Sequence, residues 1–180
     1  MTARGLTSSV FRRAGQGIGT LAIWASICLL ATPASAAQLE GEVVGLSDGD
    51  TVTVLDATRT QHKVRLAGID APEKSQPFGN RSRQHLADLV FRKQVVVEWS
   101  KRDRYGRIVG KVLVSGRDAC LAQVTAGLAW HYKAYQREQS PADQVAYATA
   151  EEVARSKRTG LWQEPAPIAP WDFRHGRRTN

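Results

Sequence analysis

The chain has 180 residues, with 25 Lys and Arg against 17 Asp and Glu, for a formal net charge of +8. That length holds one domain with a proper core rather than several, and two cysteines exclude a disulfide-stapled scaffold. The basic balance favours polyanionic partners: nucleic acid, anionic lipid or acidic glycan.

Residues 1–36 read as a secretory signal peptide. Arg4, Arg12 and Arg13 form a basic leader, residues 18–31 are apolar, and Ala34-Ser35-Ala36 supplies a small-residue cleavage site. The apolar run falls short of the ~20 residues that a membrane span needs. The neighbours of Arg12-Arg13 fit a twin-arginine signal poorly, and Ile27 before Cys28 is not the small residue that lipid attachment requires. Cleavage after Ala36 removes three basic residues and no acidic ones, leaving 144 residues with a net charge of +5. The mature protein is then expected to be exported, periplasmic or secreted, monomeric, and without stable membrane association. It keeps one cysteine, Cys120, so no internal disulfide can form. Cys120 lies in an apolar helical pattern and reads as a buried, inert thiol.

A domain is expected over residues 37–163. Residues 39–46 read as a strand, and Ser47-Asp48-Gly49 as a hairpin turn. Thr and Val alternate over 51–55, which points Val52 and Val54 inward and Thr51 and Thr53 outward. A third strand over 62–69 puts Val64 and Leu66 on the core face and Lys63, Arg65 and Ala67 on the accessible one. Pro72 ends it. A helix over 81–92 follows, then strands over 95–99 and 108–114. A second helix spans 118–129, with Leu121, Val124 and Leu128 on one face. Ser140-Pro141-Ala142-Asp143 opens a third that runs to about Lys157, where Gly160 closes it. Residues 164–180 form a Pro- and Arg-rich tail with Trp171 and Phe173, either wrapped on the domain or partly disordered. The pattern by itself says α+β.

Three segments carry the chemistry. Residues 65–73, Arg-Leu-Ala-Gly-Ile-Asp-Ala-Pro-Glu, put a guanidinium and two carboxylates within nine positions around an Ala-Pro turn. Upstream stands Asp48-Gly49-Asp50-Thr51, and downstream Asp103-Arg104-Tyr105-Gly106-Arg107. Asp50 and Asp70 lie at the ends of different strands and can meet on one cation once the barrel closes. Two carboxylates with carbonyl and water oxygens suit Ca²⁺, whereas thiols or imidazoles would suggest zinc. Glu73 lies on a loop beside them, free to orient or deprotonate a water. Arg65 and Arg107 offer two permanently charged forks for a phosphate. Tyr132 and Tyr135 are candidates for stacking on a base, which grips single strands with little regard to sequence. Trp130 reads as core, and His62, His85, His131 and His175 as surface or structural residues.

These segments and their order resemble the thermonuclease (staphylococcal nuclease-like) family over residues 42–162. The resemblance implies an OB-fold, a five-stranded Greek-key barrel with three helices. It also implies that Asp50, Asp70 and the carbonyl of Ala71 ligate Ca²⁺, that Glu73 is the general base, and that Arg65 and Arg107 are the catalytic arginines. Arg104 and Tyr105 fall beside the substrate. The expected activity is Ca²⁺-dependent hydrolysis of DNA and RNA, single strands favoured, leaving 3′-phosphate ends. Five departures stand out: Ala71 where the type member has threonine, Arg104 for lysine, two residues rather than one between the tyrosines, a shorter loop after Glu73, and the Pro- and Arg-rich tail. Two other readings remain open at this level. One is a non-catalytic OB module that binds single strands; the other is a nuclease dedicated to envelope or plasmid DNA.

Overall fold

Val52, Val54, Val64 and Leu66 are all buried to within one per cent, as period-two alternation on a closed sheet demands. The structure, a computed structural model, describes residues 37–176; the expected signal peptide and the last four residues lie outside them. Strands β1 (Ala37–Leu46), β2 (Thr51–Leu55) and β3 (Gln61–Leu66) form an antiparallel meander with Val43 opposite Val54 and Thr51 opposite Arg65. The two-residue strand β4 (Ile69–Asp70) precedes helix α1 (Gly79–Val90). Strands β5 (Gln94–Arg102) and β6 (Ile108–Val114) follow, with a two-residue β7 (Arg117–Asp118). The barrel strands lie in the order β3-β2-β1-β5-β6. A parallel pairing of β3 with β6 closes the ring, Val64 beside Ile108 and Leu66 beside Gly110. One parallel closure of an otherwise antiparallel sheet is the Greek-key arrangement of an OB barrel.

Helices α2 (Ala119–Thr125) and α3 (Pro141–Ser156) pack outside the barrel with α1. Asp118 caps α2 by accepting from the amides of Cys120 and Leu121 at 2.8 and 3.1 Å. Its other oxygen accepts the Tyr147 hydroxyl at 2.7 Å, which ties α3 to α2. Ser140 caps α3 through the Asp143 amide, with Pro141 in the first turn, as the sequence motif requires. Leu86, Val90, Cys120, Val124 and Tyr147 join the barrel valines in one core. Cys120 is fully buried, and burial pushes its thiol well above the ordinary range, so it stays protonated.

Three departures from the sequence pattern bear on function. The third strand does not run through to Ile69: the chain turns at Gly68, whose φ of +73° suits glycine. It leaves the barrel, and β4 pairs with β8 (Trp130–His131), Asp70 opposite Trp130. The second helix stops at Thr125, which frees residues 130–131 for that pairing. The tail carries its own short helix, α4 (Pro170–Arg174), with Pro170 in its first turn.

Gln123 of α2 holds the turn before β2 to the helical layer. Fully buried, it donates to the Gly49 carbonyl at 2.6 Å and to the Ser82 carbonyl at 3.0 Å, while its oxygen faces His85. Gly49 has no tolerance for a side chain: a methyl there would fall 1.9 Å from Ser82 Oγ and 2.9 Å from the Ala71 Cβ. Gln123→Leu should therefore cost about 1–3 kcal/mol, the penalty for a buried carbonyl stripped of its donor. Urea unfolding will read it as a lower midpoint at unchanged slope. A midpoint equal to the parent's would show that the turn stands without this contact.

Candidate active site

Asp50 ends the turn that Gln123 secures. Its amide donates to Asp48 Oδ1 at 3.1 Å, and the turn closes through Ser47 N–H to the Thr51 carbonyl at 2.9 Å. Asp48 thus shapes the turn. Asp50 is 5 % exposed; its Oδ2 accepts the Ala71 amide at 2.7 Å and its Oδ1 the Thr51 hydroxyl at 3.0 Å. Thr51 is consequently buried rather than outward-facing, because its hydroxyl serves this carboxylate. Asp70, on the β4–β8 ribbon, is 1 % exposed.

Arg65 joins the two acids. One guanidinium nitrogen, Nη2, lies 3.1 Å from Asp50 Oδ2 and 2.8 Å from Asp70 Oδ1, while Nη1 donates to the Leu66 carbonyl at 3.0 Å. Strand parity does turn Arg65 away from the core, but its side chain is only 15 % exposed. The two acids that it bridges cover it. Residues at the ends of different strands thus converge to hydrogen-bonding distance of one nitrogen.

Burial dominates the electrostatics of Asp50. It raises the Asp50 pKa to about 7; Arg65 opposes the rise, while Asp48 and Asp70 add to it. Among the described residues no three His, Cys, Asp or Glu stand together as a metal-holding group. The donors are two hard, buried carboxylates with the backbone around residue 71, and carboxylates taken out of water gain most from a cation. That chemistry fits an oxygen-seeking divalent ion whose remaining positions go to water.

Glu73 follows Pro72 at the edge of this cluster, its side chain 35 % exposed. Its amide donates to Gln76 Oε1 at 2.8 Å. Arg107 stands at the mouth of β6, beside β3, and its guanidinium is held by Asp103, with Nε 2.7 Å from Oδ2. Asp103 also accepts the amides of Tyr105 and Arg107, at 2.9 and 3.0 Å, so it organises the whole turn. Tyr105 is 69 % exposed, with the Arg104 and Arg107 guanidinium groups 5.0 and 5.5 Å from its ring centre. The structure therefore gathers Asp50, Arg65, Asp70 and Glu73, while Arg104, Tyr105 and Arg107 lie on a basic-aromatic turn organised by Asp103.

Tyr132 and Tyr135 are neighbours, their ring centres 5.2 Å apart. Tyr132 has one face stacked on Trp171 of α4, at 5.2 Å and 19° between planes. Its hydroxyl pKa is raised by burial and by the charge of Asp70. Tyr135 is half exposed, with Lys101 over its ring. Trp130 packs edge-on against Trp162 and belongs to a small core with Ala154 and Leu161, as expected of it. His62 pairs with Asp56, His85 and His131 with glutamines, and His175 with the Trp171 carbonyl.

Sequence reasoning missed Arg174. Its Nη2 lies 2.8 Å from Asp70 Oδ2, and its Nη1 lies 2.8 Å from Glu73 Oε1 and 3.3 Å from Asp70 Oδ1. A Pro ahead of Trp-Asp-Phe-Arg hints at a helix start, but nothing local reveals a target more than 100 residues upstream.

The Asp50 environment carries a signed consequence. An acid whose folded pKa is raised binds more protons folded than unfolded, so stability is present at low pH and falls as pH rises toward the folded pKa. From the ordinary 3.8 to about 7, cation-free protein should lose on the order of 2 kcal/mol between pH 5 and 7 from this group. Asp50→Asn should flatten that loss and melt higher than the parent at pH 7 in chelator. Parallel melting curves across pH for the two proteins would refute the strained carboxylate.

Comparison with known proteins gives the same direction as the geometry. The family profile described as staphylococcal nuclease homologue matches residues 63–164. The chain is 42 % identical over 158 residues to Protein ParB of Escherichia coli, covering 83 % of this chain and 86 % of that one. It is 41 % identical over 162 residues to Micrococcal nuclease of Shigella flexneri, covering 85 % and 90 %. An uncharacterized endonuclease of Haemophilus influenzae is 40 % identical over 158 residues, covering 86 % and 85 %. With an OB barrel, two converging carboxylates and an arginine between them, the chain belongs to the staphylococcal nuclease family, hydrolases of the phosphodiester bond.

Proposed function

We propose that the mature protein is an exported, Ca²⁺-dependent phosphodiesterase that cleaves DNA and RNA with little sequence preference, single strands favoured, and acts as a monomer in the periplasm or outside the cell. The observation that carries the reading is the meeting of Asp50 and Asp70 on one guanidinium nitrogen. Two buried acids that share one guanidinium nitrogen, with a partly exposed acid beside them, suit phosphodiester hydrolysis better than mere strand binding, which has no use for them. Nucleic-acid substrates also agree with the names of the relatives.

Asp50, Asp70 and the Ala71 carbonyl would hold the Ca²⁺, which when bound supplies charge stabilisation to a phosphoryl oxygen. Glu73 orients a water and takes its proton as the water oxygen attacks phosphorus. The bond from phosphorus to the 5′-oxygen breaks, the leaving oxygen takes a proton from solvent, and the 3′-phosphate stays on the upstream fragment. Arg65 keeps Asp50 and Asp70 and offers its remaining N–H groups to the phosphate, and Arg107 turns to it from Asp103; both match the charge that grows on the pentacoordinate centre. Tyr132 and Tyr135 take a base by stacking, and Arg104 and Tyr105 line the strand's path. Single- and double-stranded DNA and RNA, each incubated with Ca²⁺ or with chelator, test the reading. Cleavage in Ca²⁺ alone is expected; binding without cleavage would favour the non-catalytic module.

Arg65→Lys should lose roughly 10²-fold or more in kcat, because a point charge cannot reproduce a fork shared among two carboxylates and a phosphate. Parent-like kcat at parent-like melting temperature would make Arg65 a structural counter-ion only. Glu73→Gln should keep nucleic-acid binding while turnover falls by roughly 10²–10⁴. If it instead weakened Ca²⁺ binding and left kcat intact at saturating Ca²⁺, Glu73 would be a ligand.

A further inference from the structure

The tail does not simply pack on the domain; it places Arg174 on the carboxylate cluster. Asp70 is 1 % exposed, and both of its oxygens already have arginine partners. Arg65 takes Oδ1 at 2.8 Å, and Arg174 takes Oδ2 at 2.8 Å with its other nitrogen 3.3 Å from Oδ1. Arg174 also reaches Glu73 Oε1 at 2.8 Å. Three acids, Asp50, Asp70 and Glu73, thus share two guanidinium groups.

We propose that Arg174 is an internal occupant of the cation site, which a divalent ion must displace from Asp70 before it binds. The inference rests on the Ca²⁺ reading of Asp50 and Asp70. Oxygen ligands hold Ca²⁺ at about 2.3–2.6 Å, so an ion on Asp70 Oδ2 would stand within a few ångströms of the Arg174 guanidinium. Like charges at such range in a partly buried site repel strongly, because little water lies between them to screen the field. One cation has to leave, and Arg174 is the one less firmly held. Arg65 is 15 % exposed, on a strand paired along both edges, and anchored to the Leu66 carbonyl. Arg174 is 42 % exposed, on a five-residue helix at the end of the described chain.

The helix is nonetheless seated well enough to make the competition count. Trp171 stacks on Tyr132 and meets Trp130 edge-on at 5.4 Å, and the Ile168 carbonyl accepts from Gln76 Nε2 at 3.1 Å. These contacts hold the guanidinium at high local concentration over its carboxylate. The tail thereby sets a threshold: the site fills where the cation is plentiful and stays internally neutralised where it is scarce.

Calorimetric titration of Ca²⁺ into the chelator-treated protein, with no nucleic acid present, tests this. Removing a competing partly exposed ion pair to a buried carboxylate should tighten Ca²⁺ binding roughly tenfold in Arg174→Gln. Asp70→Asn should abolish binding. Should Arg174→Gln be too unstable to titrate, Trp171→Ala, which unseats the helix and leaves the guanidinium unaltered, carries the same expectation and is decided by the same result. Equal or weaker binding in the tail variant, with binding still lost in Asp70→Asn, overturns the competition and leaves the Ca²⁺ site standing. If Ca²⁺ binds neither the parent nor the tail variant, both readings fall.

Discussion

Two carboxylates buried side by side repel each other and resist leaving water, and the Arg65 guanidinium between Asp50 and Asp70 makes their burial tolerable. Everything near the site follows from that constraint. Arg65 must come from the barrel face opposite the core, so β3 must keep its register with β2 and β6. Asp50 must come from the turn before β2 and Asp70 from the ribbon that leaves β3 at Gly68. A slip of one residue in β3 would put Arg65 into the valine core and break the cluster at once. Closure of the barrel and assembly of the site are therefore one event.

The surroundings supply rigidity where the carboxylates supply strain. Burial raises the Asp50 proton affinity despite Arg65, so ionising this carboxyl in the folded chain costs stability. Apolar packing of the barrel and Gln123 behind the turn offset that cost. Such a balance is typical of functional sites, where local stability is given up to hold reactive groups ready. By contrast, the Asp103 turn that carries Arg104, Tyr105 and Arg107 is exposed and self-contained. Its arginines are held by contacts within the turn, apart from the apolar core.

The C-terminal segment changes how the site is bounded. The barrel and its three helices leave the Asp70–Glu73 edge open on one side, and α4 covers it with Arg174 while Trp171 occupies one face of Tyr132. One face of Tyr132 is thus already used within the chain, and Tyr135, with Lys101 over its ring, is the half-exposed one. A segment that reads as a Pro- and Arg-rich tail, wrapped on the domain or partly disordered, places Arg174 on the site's carboxylates in the folded protein.

Much of this protein was legible in the residues. Alternating Val and Thr marked the barrel strands, Asp-Gly marked the turn, and Ser-Pro-Ala-Asp marked the start of α3, because each depends on backbone preferences within a few positions. Motif order was enough to nominate Asp50, Arg65, Asp70 and Glu73, the four that the fold gathers. The tertiary structure alone decided that Arg65 is covered rather than accessible, that Thr51 turns in to serve Asp50, and that β3 breaks at Gly68 so that Asp70 pairs across to Trp130. It alone placed Arg174 on Asp70, across 104 residues of chain. Local pattern reports which face a side chain takes relative to its own strand or helix. What stands on that face is set by the closure of the barrel and the return of the tail, and no periodicity encodes either.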